Sequence, residues 1–225
     1  MSSCEGAIKL PPNVMIPGFF AFRDSIVDQG NNNAIRTLVK CNFPLYGKDF
    51  EGEIPTGRFG NGKTPPDLIG QKLGIKELMP AYLDPELKAQ DLPTGVSFAS
   101  GGCGYDPQTS QLVVLIHILK PFWKMASVTP LSSQLAQFKE YIKKLKGAVG
   151  EEQANKVLSN NIHMVVAGSD NITNPYFTIG IRRDQYDISS YTDILVSSAF
   201  SFMEVHKGSF FFFVFLFTLS CDYEI

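Results

Sequence analysis

An α/β fold built on a largely parallel sheet is the architecture this sequence predicts, and three observations carry the prediction. Apolar runs of strand length recur at residues 15–22 (MIPGFFAF), 96–99 (VSFA) and 162–167 (IHMVVA). Between and after them lie segments with apolar residues at three- and four-residue spacing, which is the pattern of amphipathic helices. Strands that alternate with helices are joined by crossovers, which favours parallel pairing. Each apolar run also ends in a polar or glycine-rich cluster, at 24–33, 100–104 and 168–171. In open parallel sheets, sites form where the carboxyl ends of strands run into loops.

Taken in order, residues 15–22 read as a buried strand, and residues 41–62 as a long surface loop rich in Gly, Pro and aromatic residues. Pro65 and Pro66 open a short helix that runs through Leu73 and stops at Gly74. Residues 96–99 read as the next strand. The clearest helix is 131–146, where Leu131, Leu135, Phe138, Ile142 and Leu145 share one face. A weaker helix covers 151–158, the strand 162–167 follows, and a last helix, capped by Ser189 or Ser190, runs to about Glu204.

Of the 225 residues, 44% are hydrophobic and 19% charged, with a formal net charge of -2. This is a globular composition without the basic patch that nucleic-acid binding requires. Cys4, Cys41, Cys103 and Cys221 have neither CxxC pairing nor a His partner at metal-ligand spacing, and are either disulfide-bonded or free thiols. Residues 1–12 carry Glu5 and Lys9 and lack an apolar centre, so they do not read as a signal peptide. The longest apolar run, 210–219, is shorter than the roughly 20 residues a helical membrane span needs.

Ser25 stands at the turn from the first strand into an expected helix, where a hydroxyl is exposed and helix amides stabilise negative charge; an N-cap is the competing role. Acyl transfer also needs donors aimed at a developing oxyanion, and glycines let a backbone N–H come close. Ser100-Gly101-Gly102 offers such a donor, and Gly168-Ser169-Asp170-Asn171 another.

These segments, in this order and spacing, resemble the plant GDSL-motif esterase/lipases of the SGNH hydrolase superfamily, and within them the extracellular anther- and pollen-coat lipases. The resemblance rests on FRDSIVDQGNNN (22–33), CNFPLYGKDF with PTGRFGNGK (41–63), GVSFASGGCG (95–104) and VVAGSDN (165–171), with further likeness around Tyr186 and Tyr191. It implies a flavodoxin-like α/β/α sandwich, carboxylic ester hydrolysis through an acyl-enzyme, a lipid-like or acylated small-molecule substrate, secretion, and no metal or organic cofactor. By position, Ser25 is the nucleophile, and its own amide and that of Gly101 are oxyanion donors. Asp170 occupies the place of the family's donor Asn.

The chain departs from this pattern in four places. Arg23 replaces the family's glycine, which either strains the nucleophile turn or leaves the side chain pointing to solvent. Asp170, as a carboxylate, only accepts hydrogen bonds; protonation, or a shift that brings in Asn171, would restore a donor. The family's Asp-x-x-His segment is not matched: the histidines are His117, His163 and His206, and His163 falls within a buried strand. Residues 112–129 and 205–225 break from the pattern, as a translated non-coding insertion would, or, for the second, as a membrane-contacting tail. The expected organisation is thus an extension (1–15), a partial hydrolase domain (16–204) with an atypical insertion (112–129), and an apolar tail (205–225). The alternative function is an inactive fragment or pseudoenzyme that retains an acyl-binding cleft.

Residues 57–64 (GRFGNGKT) fit the spacing of a nucleotide-binding P-loop. That loop joins a buried strand to a helix, and the preceding residues 49–56, with Glu51, Gly52, Glu53 and Pro55, cannot form one. The Asn171-Ile172-Thr173 sequon abuts the candidate oxyanion segment, so an unmodified Asn171 is expected there.

Overall fold

The first strand, β1 (Phe19–Arg23), is apolar except at its end and every residue in it is buried, the behaviour of a strand covered on both faces. The computed structural model describes residues 8–106, 128–166, 172–205 and 211–214. In it β1 pairs in parallel with β2 (Ile162–Val166), from Phe19 opposite Ile162 to Arg23 opposite Val166. β2 in turn pairs in parallel with β3 (Phe211–Val214), giving the order β1-β2-β3. β3 comes from the apolar tail, which the absence of alternation had set apart from the domain. It is the outermost strand of the sheet among the described residues, beside β2.

On the far side of β1, residues 96–100 run alongside it without forming a full strand. Ser97 makes single parallel bridges to Ala21 and to Ala81. Ala21 N–H donates to Val96 (3.3 Å), and Phe98 N–H returns to Ala21 (2.8 Å). The strand expected at 96–99 is thus present as an extended edge.

Helices cover both faces. α1 (Pro65–Lys72) begins with two prolines, where missing N–H groups cost nothing, and Asp67 accepts from the Thr64 N–H at 2.9 Å to close its first turn. α2 (Leu131–Val149) and α3 (Glu151–Asn160) meet at Gly150, whose φ of 81° ends the first helix and starts the second. α4 (Ile188–Val205) follows the turn at 181–185. Phe20, Phe22 and Val165 face α2 and α3, packing on Phe138, Tyr141, Leu145, Ala154 and Val157. Phe19, Ala21, Met164 and Val166 face the other way, toward Val27, Met79 and Ile69 of α1. Alternation along the strands therefore builds two cores and an α/β/α sandwich. Among the described residues no helix is long and apolar enough to cross a membrane.

Candidate active site

β1 ends in Arg23-Asp24-Ser25. The helix expected after Ser25 is a single 3-10 turn (Ser25–Val27), and its N-cap is Asp24, whose Oδ1 accepts from Ile26 N–H at 3.0 Å. The capping role open to Ser25 is therefore filled by its neighbour. Ser25 itself is half-buried, and its hydroxyl makes no hydrogen bond within the described residues.

Arg23 departs most from ordinary strand geometry. Its φ is 106°, a region that residues with a Cβ rarely occupy. Its side chain is fully buried, so the solvent-pointing alternative is excluded. The guanidinium carbon lies 3.2 Å from the centre of the Tyr105 ring, with the Cys103 thiol beside it. Burial lowers its pKa from the ordinary arginine value to about 10, opposed by the nearby Cys103, Tyr105 and Asp24. Cys103 and Cys41 are both buried.

The polar run after Ser25 ties this turn to residues 97–101. Asp28 Oδ1 accepts from the Gly30 and Asn31 amides, at 2.8 Å each, and Oδ2 accepts from the Gly101 amide at 2.9 Å. Desolvation nevertheless outweighs these donors and raises the Asp28 pKa from 3.8 to about 6. Asn31 donates to the carbonyls of Ser97 and Ala99 (2.9 and 2.8 Å) and accepts from the Leu83 amide (3.0 Å). Asn32 donates to Val39 (2.8 Å) and to Gly101 (3.1 Å), while its Oδ1 receives the Ser100 hydroxyl.

The glycine pair thereby divides. The Gly101 amide is engaged by Asp28, and a Cβ at this position would stand 2.2 Å from Phe59 Cζ, so Gly101 is needed for close approach. Gly102 has φ 84° inside the turn closed by Cys103 N–H to the Ser100 carbonyl (3.0 Å), and its own amide has no partner within the described residues. Sequence reading singled out Gly101 and passed over Gly102. The Gly-Gly doublet was the available signal, but only the distant Asp28 and Phe59 separate the two.

Asp170 and Asn171 lie outside the described residues, as do His117 and His206; the chain enters that stretch from the carboxyl end of β2 at Val166. His163 is buried in β2 opposite Phe20, with ring centres 4.9 Å from Phe20 and 5.5 Å from Phe138. Phe20 lies three residues, roughly 10 Å of strand, before Arg23 ends β1, so His163 belongs to the core and not to the turn. In the loop with P-loop spacing, Arg58 binds Asp67 through two hydrogen bonds (2.8 and 2.9 Å), and Lys63 reaches Glu77 (3.1 Å). Its cations are committed to carboxylates, and the element that leads into it is a 3-10 turn (Glu51–Glu53) where a P-loop would have a buried strand. A cavity of about 320 Å3 lies between the start of α2 and α4, lined by Tyr105, Leu131, Leu135 and Phe202 with Ser132 and Ser198.

Comparison with known proteins matches residues 19–204 to the model of the GDSL-like Lipase/Acylhydrolase family. The chain is 50% identical over 204 residues to the Arabidopsis thaliana GDSL esterase/lipase At5g42170, covering 91% of this chain and 51% of that protein. It is 48% identical to Arabidopsis GDSL esterase/lipase EXL2 (90% and 54% covered) and 48% identical to EXL3 (88% and 50% covered). The chain therefore spans about half the length of the curated relatives it matches. No solved structure matches it.

Proposed function

This chain belongs to the GDSL-like lipase/acylhydrolase family, and from that premise we propose that it serves carboxylic ester hydrolysis, with Ser25 as the nucleophile that carries the acyl group. The observation that carries the reading is the Ser25 hydroxyl: half-buried, at the carboxyl end of β1, and free of any hydrogen bond within the described residues while Asp24 performs the capping. A serine retained at a strand end for stability alone would be expected to use its hydroxyl.

In this mechanism Ser25 Oγ attacks the ester carbonyl carbon as its proton passes to a base. The tetrahedral oxyanion collapses with loss of the alcohol, and water then releases the acid from the acyl-serine. Of the glycine amides, that of Gly102 is the one we assign to the oxyanion, because the Gly101 amide is spent on Asp28. Asp170 completes the donor set only when protonated, since a carboxylate would repel the oxyanion. His206 is the base to test first.

The apolar cavity beside Tyr105 supports an acyl group of lipid-like or other acylated esters. We carry forward extracellular location with the resemblance to secreted lipases. The test is covalent labelling of the full chain by a fluorophosphonate, with the modified residue identified by mass spectrometry, beside p-nitrophenyl ester turnover. Labelling at Ser25 that Ser25→Ala abolishes is the expected result. Labelling that persists in Ser25→Ala, or none at all, overturns the assignment.

A further inference from the structure

Gln134 lies on the first turns of α2, 111 residues from Arg23, and is fully buried. Its Oε1 accepts from the Arg23 amide at 2.8 Å, and its Nε2 donates to the Arg23 carbonyl at 3.1 Å. The same Nε2 reaches the Thr129 carbonyl at 3.2 Å, just before the helix begins. One side-chain amide thus grips both backbone groups of the residue whose φ is 106°.

The parallel ladder explains why this grip is needed. Ala21 N–H bonds to Val96, Phe98 N–H to Ala21 and Ser100 N–H to Arg23, the last at 2.8 Å. Regular continuation would send the Arg23 N–H to the Phe98 carbonyl. That bond is the one replaced: the left-handed φ turns Arg23 out of the ladder, and Gln134 supplies the acceptor the strand has lost. Ser100 holds the Arg23 carbonyl but cannot hold its amide. A side chain doing both needs a donor and an acceptor, which Gln has and Glu, Met or Leu lack. A buried, unpaired Arg23 amide would also carry the desolvation penalty of an orphaned donor.

We infer that Gln134 is a positioning residue: from α2 it holds Arg23 in its left-handed conformation and so sets the turn that presents the Ser25 hydroxyl. The link to reactivity rests on the proposed role of Ser25, while the link to the turn stands on the hydrogen bonds alone. Because glycine tolerates this φ without strain, dependence on Gln134 is greatest when residue 23 bears a side chain.

Two measurements on the full chain test this. The first is amide hydrogen exchange in Gln134→Met and Gln134→Glu. Exchange of the Arg23 amide accelerates at least 100-fold in Gln134→Met, while the Met164 and Val165 amides of β2 stay within threefold of the parent. In Gln134→Glu, which keeps an acceptor, the Arg23 amide stays within about tenfold. Unchanged exchange at Arg23, or equal acceleration across β2, overturns the inference, since either means that the amide does not hold the turn locally. The second is the fluorophosphonate labelling rate of Ser25. Gln134→Met lowers it at least tenfold in the parent and threefold or less in an Arg23→Gly background; equal losses in both backgrounds overturn the coupling. A parent that does not label removes the nucleophile assignment, and the exchange data still decide what Gln134 does.

Discussion

Replacing Arg23 separates two penalties that the native chain carries at one residue. The first is conformational. At an ordinary buried strand position, Gly is less stable than Ala by about 0.5–1 kcal/mol. At φ 106° a Cβ costs roughly 1–2 kcal/mol, which exceeds the extra chain entropy that glycine loses on folding, about 0.4–1 kcal/mol. The order inverts, and Arg23→Gly is expected to be about 1 kcal/mol more stable than Arg23→Ala. The second penalty is electrostatic. A pKa lowered from the ordinary arginine value to about 10 corresponds to about 3 kcal/mol against the buried charge at neutral pH, and the Tyr105 face returns about 2 kcal/mol. Arg23→Met keeps the stem and the strain but removes the charge, so it should be about 1 kcal/mol more stable than the parent. Urea unfolding of the full chain at pH 7, followed by far-ultraviolet circular dichroism, would read each difference as a midpoint shift of roughly 0.4 M. The charge difference has a definite pH dependence. A folded-state pKa below the unfolded one means the neutral form suits the fold, so the gap between Arg23→Met and the parent narrows as pH rises through 10. Arg23→Ala at least as stable as Arg23→Gly would refute the strain. A parent more stable than Arg23→Met by 1 kcal/mol would refute the electrostatic penalty.

Three further outcomes follow from neighbouring contacts. Asp28 has a folded pKa raised to about 6 from 3.8, so its contribution is full below 3.8 and lost as pH rises through 6; the unfolding free energy of the parent minus that of Asp28→Asn should fall by about 3 kcal/mol between pH 3.5 and 8. Arg58→Leu leaves the Asp67 carboxylate buried beside only neutral donors and should cost about 3–5 kcal/mol in urea unfolding; a loss under 1 kcal/mol would count against that pair. Gly101→Ala drives a Cβ into the Phe59 ring and should cost about 1–3 kcal/mol, with most of it recovered by adding Phe59→Leu; no recovery would place the cost in the backbone instead.

Periodicity located α2, because a helix that covers a sheet writes its buried face at three- and four-residue spacing, while prolines and a glycine marked the ends of α1 and a serine cap the start of α4. β1 and β2 were legible as apolar runs bounded by polar clusters. β3 was not, since Phe211–Val214 has no alternation and its company in the chain looks like low complexity. The turn that carries Ser25 was legible from its position after a strand. The engagement of the Gly101 amide was not, because its acceptor is Asp28, 73 residues away, and its close approach is to the Phe59 ring. Nor could the sequence say which way Arg23 points: the answer depends on Tyr105 on one side and α2 on the other. Local pattern identifies elements, whereas the state of a single amide at their ends is set by partners far along the chain.

The contacts that hold these strand ends are mainly side-chain amides and carboxylates binding backbone groups: Asp28 on Gly101, Asn31 on Ser97 and Ala99, Asn32 on Gly101, and Gln134 on Arg23. Such cross-links fix positions more tightly than apolar packing does, because each has a direction and a buried penalty for missing it. Against that background three departures meet at one end of β1: a strained, buried arginine, and a serine hydroxyl and a glycine amide that make no hydrogen bond within the described residues. Selection for stability alone would remove each of them, through glycine at 23, a capping role at 25 or an acceptor for Gly102. Violations of local consistency that persist together, inside an otherwise satisfied network, are where function is expected to reside. Loss of Asn31, Asn32 or Gln134 is therefore a loss of geometry, to be distinguished from loss of Ser25 by the exchange of backbone amides and not by activity alone.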